Sequence, residues 1–187
     1  MAPKYKFTRE EIVQAALSII REKGGDGLTA RALASELNCS AKPIFGLFSG
    51  MEEVHRAACA AAQDLFGRFM SEDMAKGMYP PYKASGMAYI RFAREERELF
   101  KLLFMRDRSG ESAEEGHSEL DPIIEIIREN LGLSKDEAFK FHLEMWIFTH
   151  GIATMIATGY LNWEEKAVSD GLSDVYQGLR RRFTEGK

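Results

Sequence analysis

The sequence predicts an all-α fold of about nine helices, with a group of short helices at the N-terminus followed by a bundle of longer ones. Three observations predict it. The capping signature of Ser or Thr followed three residues later by Glu recurs at Thr8–Glu11, Ser49–Glu52 and Ser134–Glu137. Apolar residues return every three or four positions rather than every second one, and Gly or Pro clusters punctuate the chain between such stretches. No segment alternates as a strand would.

The first helix begins after Thr8 and carries Ile12, Ala15, Ala16, Ile19 and Ile20 on one stripe before Gly24-Gly25 ends it. A second is capped by Thr29, holds Leu33 and Leu37 on one face, and stops near Asn38. Ser40 is expected to cap a third that runs to about Leu47, with Pro43 in its first turn, where the missing N–H costs nothing. Two short helices joined by a turn of a few residues have the layout of a helix-turn-helix.

Beyond Ser49 the alanine-rich stretch from Met51 to about Met74 propagates as one long helix, and Tyr79-Pro80-Pro81 breaks it. Helices are expected at about 82–94 and 96–105, and a loop over 106–118. Asp121-Pro122 starts another helix, which runs to about Leu131. The helix after Ser134 is apolar nearly all round from Phe139 to Ile156 and is expected to be buried on more than one side. The last opens at Asn162–Glu165 and ends in Arg180-Arg181-Arg182, which complements the helix dipole.

With 187 residues, 45% hydrophobic and 29% charged, the composition is that of a globular protein. The stretch Met145–Leu161 is too short and too rich in Gly and His for a spanning helix, so no membrane association is expected. The N-terminus lacks the apolar core of a secretory signal, which implies a cytoplasmic protein. Cys39 and Cys59 form no CxxC pair and read as small buried residues. Neither a metal site nor a cofactor is expected. No nucleophile elbow, phosphate loop or paired catalytic carboxylates appear, so an enzyme is not expected either.

The net charge of −4 is unevenly spread. In residues 1–50, Lys4, Lys6, Arg9, Arg21, Lys23, Arg31 and Lys42 outnumber Glu10, Glu11, Glu22, Asp26 and Glu36, and the rest of the chain is acidic. A mildly basic head on an acidic body suits a polyanionic partner. Ser40 at a helix start offers a hydroxyl and free amides to a phosphate, and Thr29 is similar; both also serve as plain caps. Ala41 and Lys42 fall in the first turn of the third helix, where Lys42 meets a base edge or a phosphate. Arg31 is a further contact, and Lys4 and Lys6 are expected to act as a flexible arm.

Ile12–Leu17, Gly24 through Leu28-Thr29, Leu33-Ala34, Leu37, Ser40 and Ile44–Phe48 stand in an order and spacing that resembles the TetR family of transcriptional regulators. The resemblance implies an N-terminal three-helix helix-turn-helix DNA-binding domain at 1–50 and a C-terminal helical bundle for effector binding and dimerisation at 51–187. It implies a homodimeric repressor that binds a double-stranded operator with an inverted repeat and is released by a small apolar or aromatic effector.

The family pattern usually has tyrosine at Phe45, often histidine at Gly46, and lysine at Met51. These departures motivate an alternative, a regulator-derived helical interaction protein with weakened or lost operator binding. Trp146-Ile-Phe-Thr-His150-Gly151 resembles a signature of one subgroup. It reads either as a packing and dimer-interface motif or as a part of the effector pocket. Phe66, Phe69, Met70, Tyr89, Phe92, Phe100, Phe104 and Met105, with Trp146 and His150, are the candidates for pocket or ordinary core.

Overall fold

The structure, a computed structural model, describes residues 7–107 and 121–185. Nine α-helices and a short 3-10 turn make up the described residues, and no strand occurs among them. The expected arm at Lys4 and Lys6 and most of the expected 106–118 loop lie outside the described residues, as do the side chains of Asp121 and Pro122.

Helix α1 (Arg9–Lys23) opens with the expected reciprocal cap: the Glu11 amide donates to Thr8 Oγ1 and the Thr8 amide to the Glu11 carboxylate. Its stripe from Ile12 to Ile20 is almost wholly buried. It ends where Gly24 adopts φ +74°, a conformation that a side chain would strain, and a Cβ there would come within 3.2 Å of Glu98. After the 3-10 turn Gly25–Gly27, helix α2 (Ala30–Glu36) is capped by Thr29, whose Oγ1 accepts from the Ala32 amide. Asn38, at φ +47°, turns the chain out of α2.

Helix α3 (Lys42–Phe45) is shorter than the sequence implies, and its cap is Ala41 rather than Ser40. The Ala41 carbonyl accepts from the amides of Ile44 and Phe45, and Pro43 takes the second helical position. The cap therefore carries no side-chain hydrogen bond, and Ser40 is exposed one residue earlier. Helix α4 (Met51–Ala75) starts where expected, but not with the expected Ser49–Glu52 capping box. Glu53, not Glu52, reaches back to the Ser49 amide and hydroxyl, while Glu52 pairs with Arg56.

Helices α5 (Pro81–Glu95), α6 (Arg97–Phe104), α7 (Asp121–Leu131), α8 (Lys135–Ala157) and α9 (Glu165–Glu185) complete the chain. Helix α8 carries the full Ser134–Glu137 capping box. Helix α9 starts three residues after Asn162 and continues past the arginine run to Glu185.

The chain divides into two units, Met1–Arg68 with Glu95–Arg106, and Phe69–Arg94 with Asp107–Lys187. In the first, α1 packs on α2 and on α6, and Ile12, Ile20, Leu33, Ile44, Phe48, Val54, Leu99 and Phe100 form the core. Arg21 donates twice to the Glu96 carboxylate and so ties the end of α1 to the start of α6. In the second unit α8 packs on α7 and α9. Phe92, Phe141, Ile124, Met145, Ile152 and Leu172 are buried there.

Helix α8, expected to be buried on more than one side, keeps several large apolar residues open to solvent. Leu143, Trp146, Ile147 and Met155 remain 41%, 41%, 59% and 42% exposed, so one apolar side of the helix is left uncovered in the single chain.

Candidate nucleic-acid interface

Helix α3 is held from behind by two side chains four residues apart. Ile44 and Phe48 are 0% and 2% exposed, and because they anchor one face, Lys42, Phe45 and Gly46 are turned to solvent. Arg9, from the first turn of α1, stabilises the far end of this segment. Its guanidinium stacks 4.0 Å over the Phe48 ring, donates to the Leu47 carbonyl, and pairs with Glu53 at 2.7 Å. Glu53 in turn accepts from the Ser49 amide and hydroxyl at 2.7 and 2.9 Å. The Ser49 amide, then Arg9 and the Ser49 hydroxyl, hold the Glu53 carboxyl down to about 2. One arginine thus links α1, the end of α3 and the first turn of α4.

Sequence reasoning missed Arg9 and Glu53 as positioning residues. Arg9 looks like any polar residue in a first turn, and its partners lie about forty positions away. Only the short run Ser49–Glu53 carried a signal, and the choice between Glu52 and Glu53 depended on where α4 begins.

Thr29 and Arg31, exposed at the start of α2, line an open hollow of about 400 Å³ with Lys23, Ala32, Ser35 and Glu36. Two cations and two hydroxyls there suit an anionic ligand, and Glu36 opposes it. Ser40, Ala41, Lys42 and Phe45 lie together in the turn and helix that follow. His55 is half-buried with a ring nitrogen 3.1 Å from the Leu28 carbonyl, which binds α4 to the loop ahead of α2. Met51, at the start of α4, is half-buried and brings no charge.

The aromatic candidates gather in three groups. In the first unit Phe66 meets Phe104 edge-on at 5.2 Å, and Phe104 tilts against Phe100 at the same distance. In the second, Phe69 meets Phe92 edge-on at 5.2 Å, and the Arg91 guanidinium lies 4.1 Å above the Phe69 ring. Met70, beside Phe69 in sequence, is half-buried, and Met105 is 42% exposed. The third group joins α5 to α8: Tyr89 Oη lies 2.8 Å from His150 Nδ1, and Trp146 stacks on the His150 ring at 5.0 Å and 14°. Burial holds the His150 imidazole below its ordinary pKa, which favours the neutral ring, and its Nδ1 shares one hydrogen bond with the tyrosine hydroxyl. Gly151 has open space where a Cβ would stand, so nothing among the described residues uses the close approach it permits.

Similarity to known proteins bears on this arrangement. Residues 82–174 match the family model described as the tetracyclin repressor-like C-terminal domain. The chain is 23% identical to an uncharacterised HTH-type transcriptional regulator of Mycobacterium tuberculosis, across 97% of this chain and 85% of that protein. A TetR-like transcriptional regulator from Rhodococcus sp. RHA1 superposes over the whole of both chains with a TM-score of 0.68 at 18% identity. The multidrug binding protein EbrR, solved with imidazole, aligns over 92% of this chain and 95% of its own at a TM-score of 0.56 and 15% identity. The matched C-terminal model, the relative along nearly the full length and the shared all-helical fold agree with the N-terminal pattern around α2 and α3, and the chain belongs to the TetR-like family of transcriptional regulators.

Proposed function

We propose that the chain is a homodimeric repressor whose residues 1–50 bind a double-stranded operator, an inverted repeat, and whose residues 51–187 dimerise and bind a small apolar or aromatic effector that releases the DNA. The observation that carries the DNA-binding reading is the outward side of α3, where Lys42 and Phe45 are exposed on a segment fixed from behind by Ile44, Phe48 and Arg9. A rigid platform with a free cation meets a major groove with little loss of conformational entropy. Thr29, Arg31 and Ser40 supply phosphate contacts beside it, and Lys4 and Lys6 reach further along the backbone.

The effector reading draws on the Phe69–Phe92 pair and on the Tyr89–His150–Trp146 group in α5 and α8, with Phe66, Phe100, Phe104 and Met70 as further candidates. EbrR, a protein of the same fold, binds multiple drugs by its own name. The relative exposure of Leu143, Ile147 and Met155 supports the dimer, because a second copy of α8 and α9 would cover them as a four-helix bundle.

Titration of the full-length protein against labelled DNA from upstream of its own gene, at several salt concentrations, tests the DNA-binding reading. Salt-sensitive specific binding is expected, and Lys42→Ala should reduce the salt slope by about one unit. Absence of any specific complex at micromolar protein would leave the interaction-protein reading, which the uncharged Met51 and Phe45 favour.

A further inference from the structure

The exposed surface of α3 offers few hydrogen-bonding groups. From Ser40 to Phe48, Ile44 and Phe48 are buried, Ala41, Pro43 and Leu47 are half-buried, and Ser40, Lys42, Phe45 and Gly46 are exposed. Lys42 and Phe45 are three residues apart and share one face of the helix. Phe45 is 43% exposed, and among the described residues up to Arg68 it is the sole large apolar side chain left so open. A phenyl ring neither donates nor accepts a hydrogen bond, so it cannot fix a phosphate or pair with a base heteroatom. In the major groove it finds one apolar partner, the C5-methyl group of thymine, at a position where cytosine presents a bare C5 beside its N4 donor.

We propose that Phe45 is a specificity-determining residue of the operator complex and reads a thymine methyl in each half-site, with Lys42 alongside on a guanine edge or a phosphate. The proposal rests on the DNA-binding reading above. The occupant follows from charge as well as from shape: the apolar ring lies beside the Lys42 ammonium, in a unit where Lys23 and Arg31 are also exposed, and a polyanion whose groove carries methyl groups satisfies both features. Because the ring is outside the core, its removal does not open a cavity.

The test is a thymine-by-thymine replacement with deoxyuridine in the duplex used above, read by fluorescence anisotropy with the full-length protein. Deoxyuridine removes a single methyl group and leaves every hydrogen-bonding edge unchanged. At one thymine in each half-site the wild-type affinity is expected to fall about fourfold, the worth of one buried methyl. Phe45→Ala should bind the thymine and deoxyuridine duplexes equally, and Phe45→Leu, which keeps apolar contact, should still distinguish them. Replacing the same thymine with cytosine should weaken wild-type binding, and 5-methylcytosine should recover part of the loss.

Salt-sensitive specific binding that is indifferent to every deoxyuridine would overturn the assignment while leaving the DNA-binding reading intact. So would a Phe45→Ala protein, with an unchanged helical circular-dichroism spectrum, that keeps the wild-type ratio. Failure of the wild-type protein to bind any duplex specifically would defeat the DNA-binding reading itself, and this inference with it.

Discussion

Arg9 shows how much a single side chain decides when it can satisfy several needs at once. Its guanidinium covers the Phe48 ring, takes up the Leu47 carbonyl at the end of α3 and balances Glu53. These interactions set where α3 ends and therefore how Lys42 and Phe45 are presented. Their strength depends on the Glu53 charge. With its carboxyl at about 2 in the folded chain against an ordinary 4.5, Glu53 contributes stability that is fully present above 4.5 and is lost as the pH falls through about 2. Glu53→Gln should mimic that loss at neutral pH. The Ser49 amide, which donates to Glu53, is expected to exchange its hydrogen faster in the variant, and operator affinity should fall without a change in helix content. Amide exchange followed by mass spectrometry or magnetic resonance checks the first, and anisotropy the second. An unchanged Ser49 exchange rate would mean that Arg9 alone fixes the segment.

At the scale of the helices, sequence and structure agree where the signal is local. The caps at Thr8, Thr29 and Ser134, the stop at Gly24 and the break at Pro80-Pro81 were all legible, because each depends on residues within a turn of one another. The start of α3 was misplaced because Ser40 is a good capping residue, yet the backbone places Ala41 there and Pro43 at the second position. The start of α4 at Met51 was legible, but the glutamate that bonds Ser49 was misassigned, because Glu52 and Glu53 are adjacent and Glu52 fits the capping pattern while Glu53 makes the bonds. The two links between α5 and α8 were not legible at all: they join residues about sixty positions apart. Tyr82 Oη lies 3.1 Å from His142 Nδ1, and Tyr89 Oη lies 2.8 Å from His150 Nδ1, so equivalent pairs recur two turns along both helices.

Burial lowers both imidazole pKa values below the ordinary 6.5 and pushes the Tyr82 hydroxyl far above its usual range. Protonation would place a positive charge on each partly buried ring. The unfolded chain takes up these protons more readily than the folded one, so the stability contributed at pH 7 declines as the pH falls below 6.5. Thermal melts are expected to show a level midpoint above pH 6.5 and a fall beneath it. His142→Asn combined with His150→Asn should flatten that slope. A double variant with the wild-type slope would place the titrating groups elsewhere.

For the molecule as a whole, the most informative feature is an apparent mismatch in α8. A helix apolar on nearly every side is expected to be buried on more than one of them, yet the chain covers the side of Phe141, Met145, Thr149 and Ile152 and leaves Ile147 59% exposed, with Leu143, Trp146 and Met155 near 41%. Exposing a row of large apolar side chains along a central helix is unfavourable for a lone subunit, and a symmetric copy that presents the same row resolves it. Gly151 and Gly178 add to this, since each has room where a Cβ would stand and neither obstructs a close helix. The sequence could not reveal this division of the helix surface, because the period of its apolar residues does not distinguish a side covered by the same chain from one covered by a second. Ile147→Glu places a charge at the most open position of the row without touching the core. In a sedimentation experiment the variant is expected to have half the wild-type mass while keeping its helical circular dichroism. Because each monomer would carry one head, its operator affinity should also fall to that of a single half-site. A variant that remains a dimer would assign the interface to another surface, and a wild-type protein that is itself monomeric would remove the twofold reading of the operator altogether.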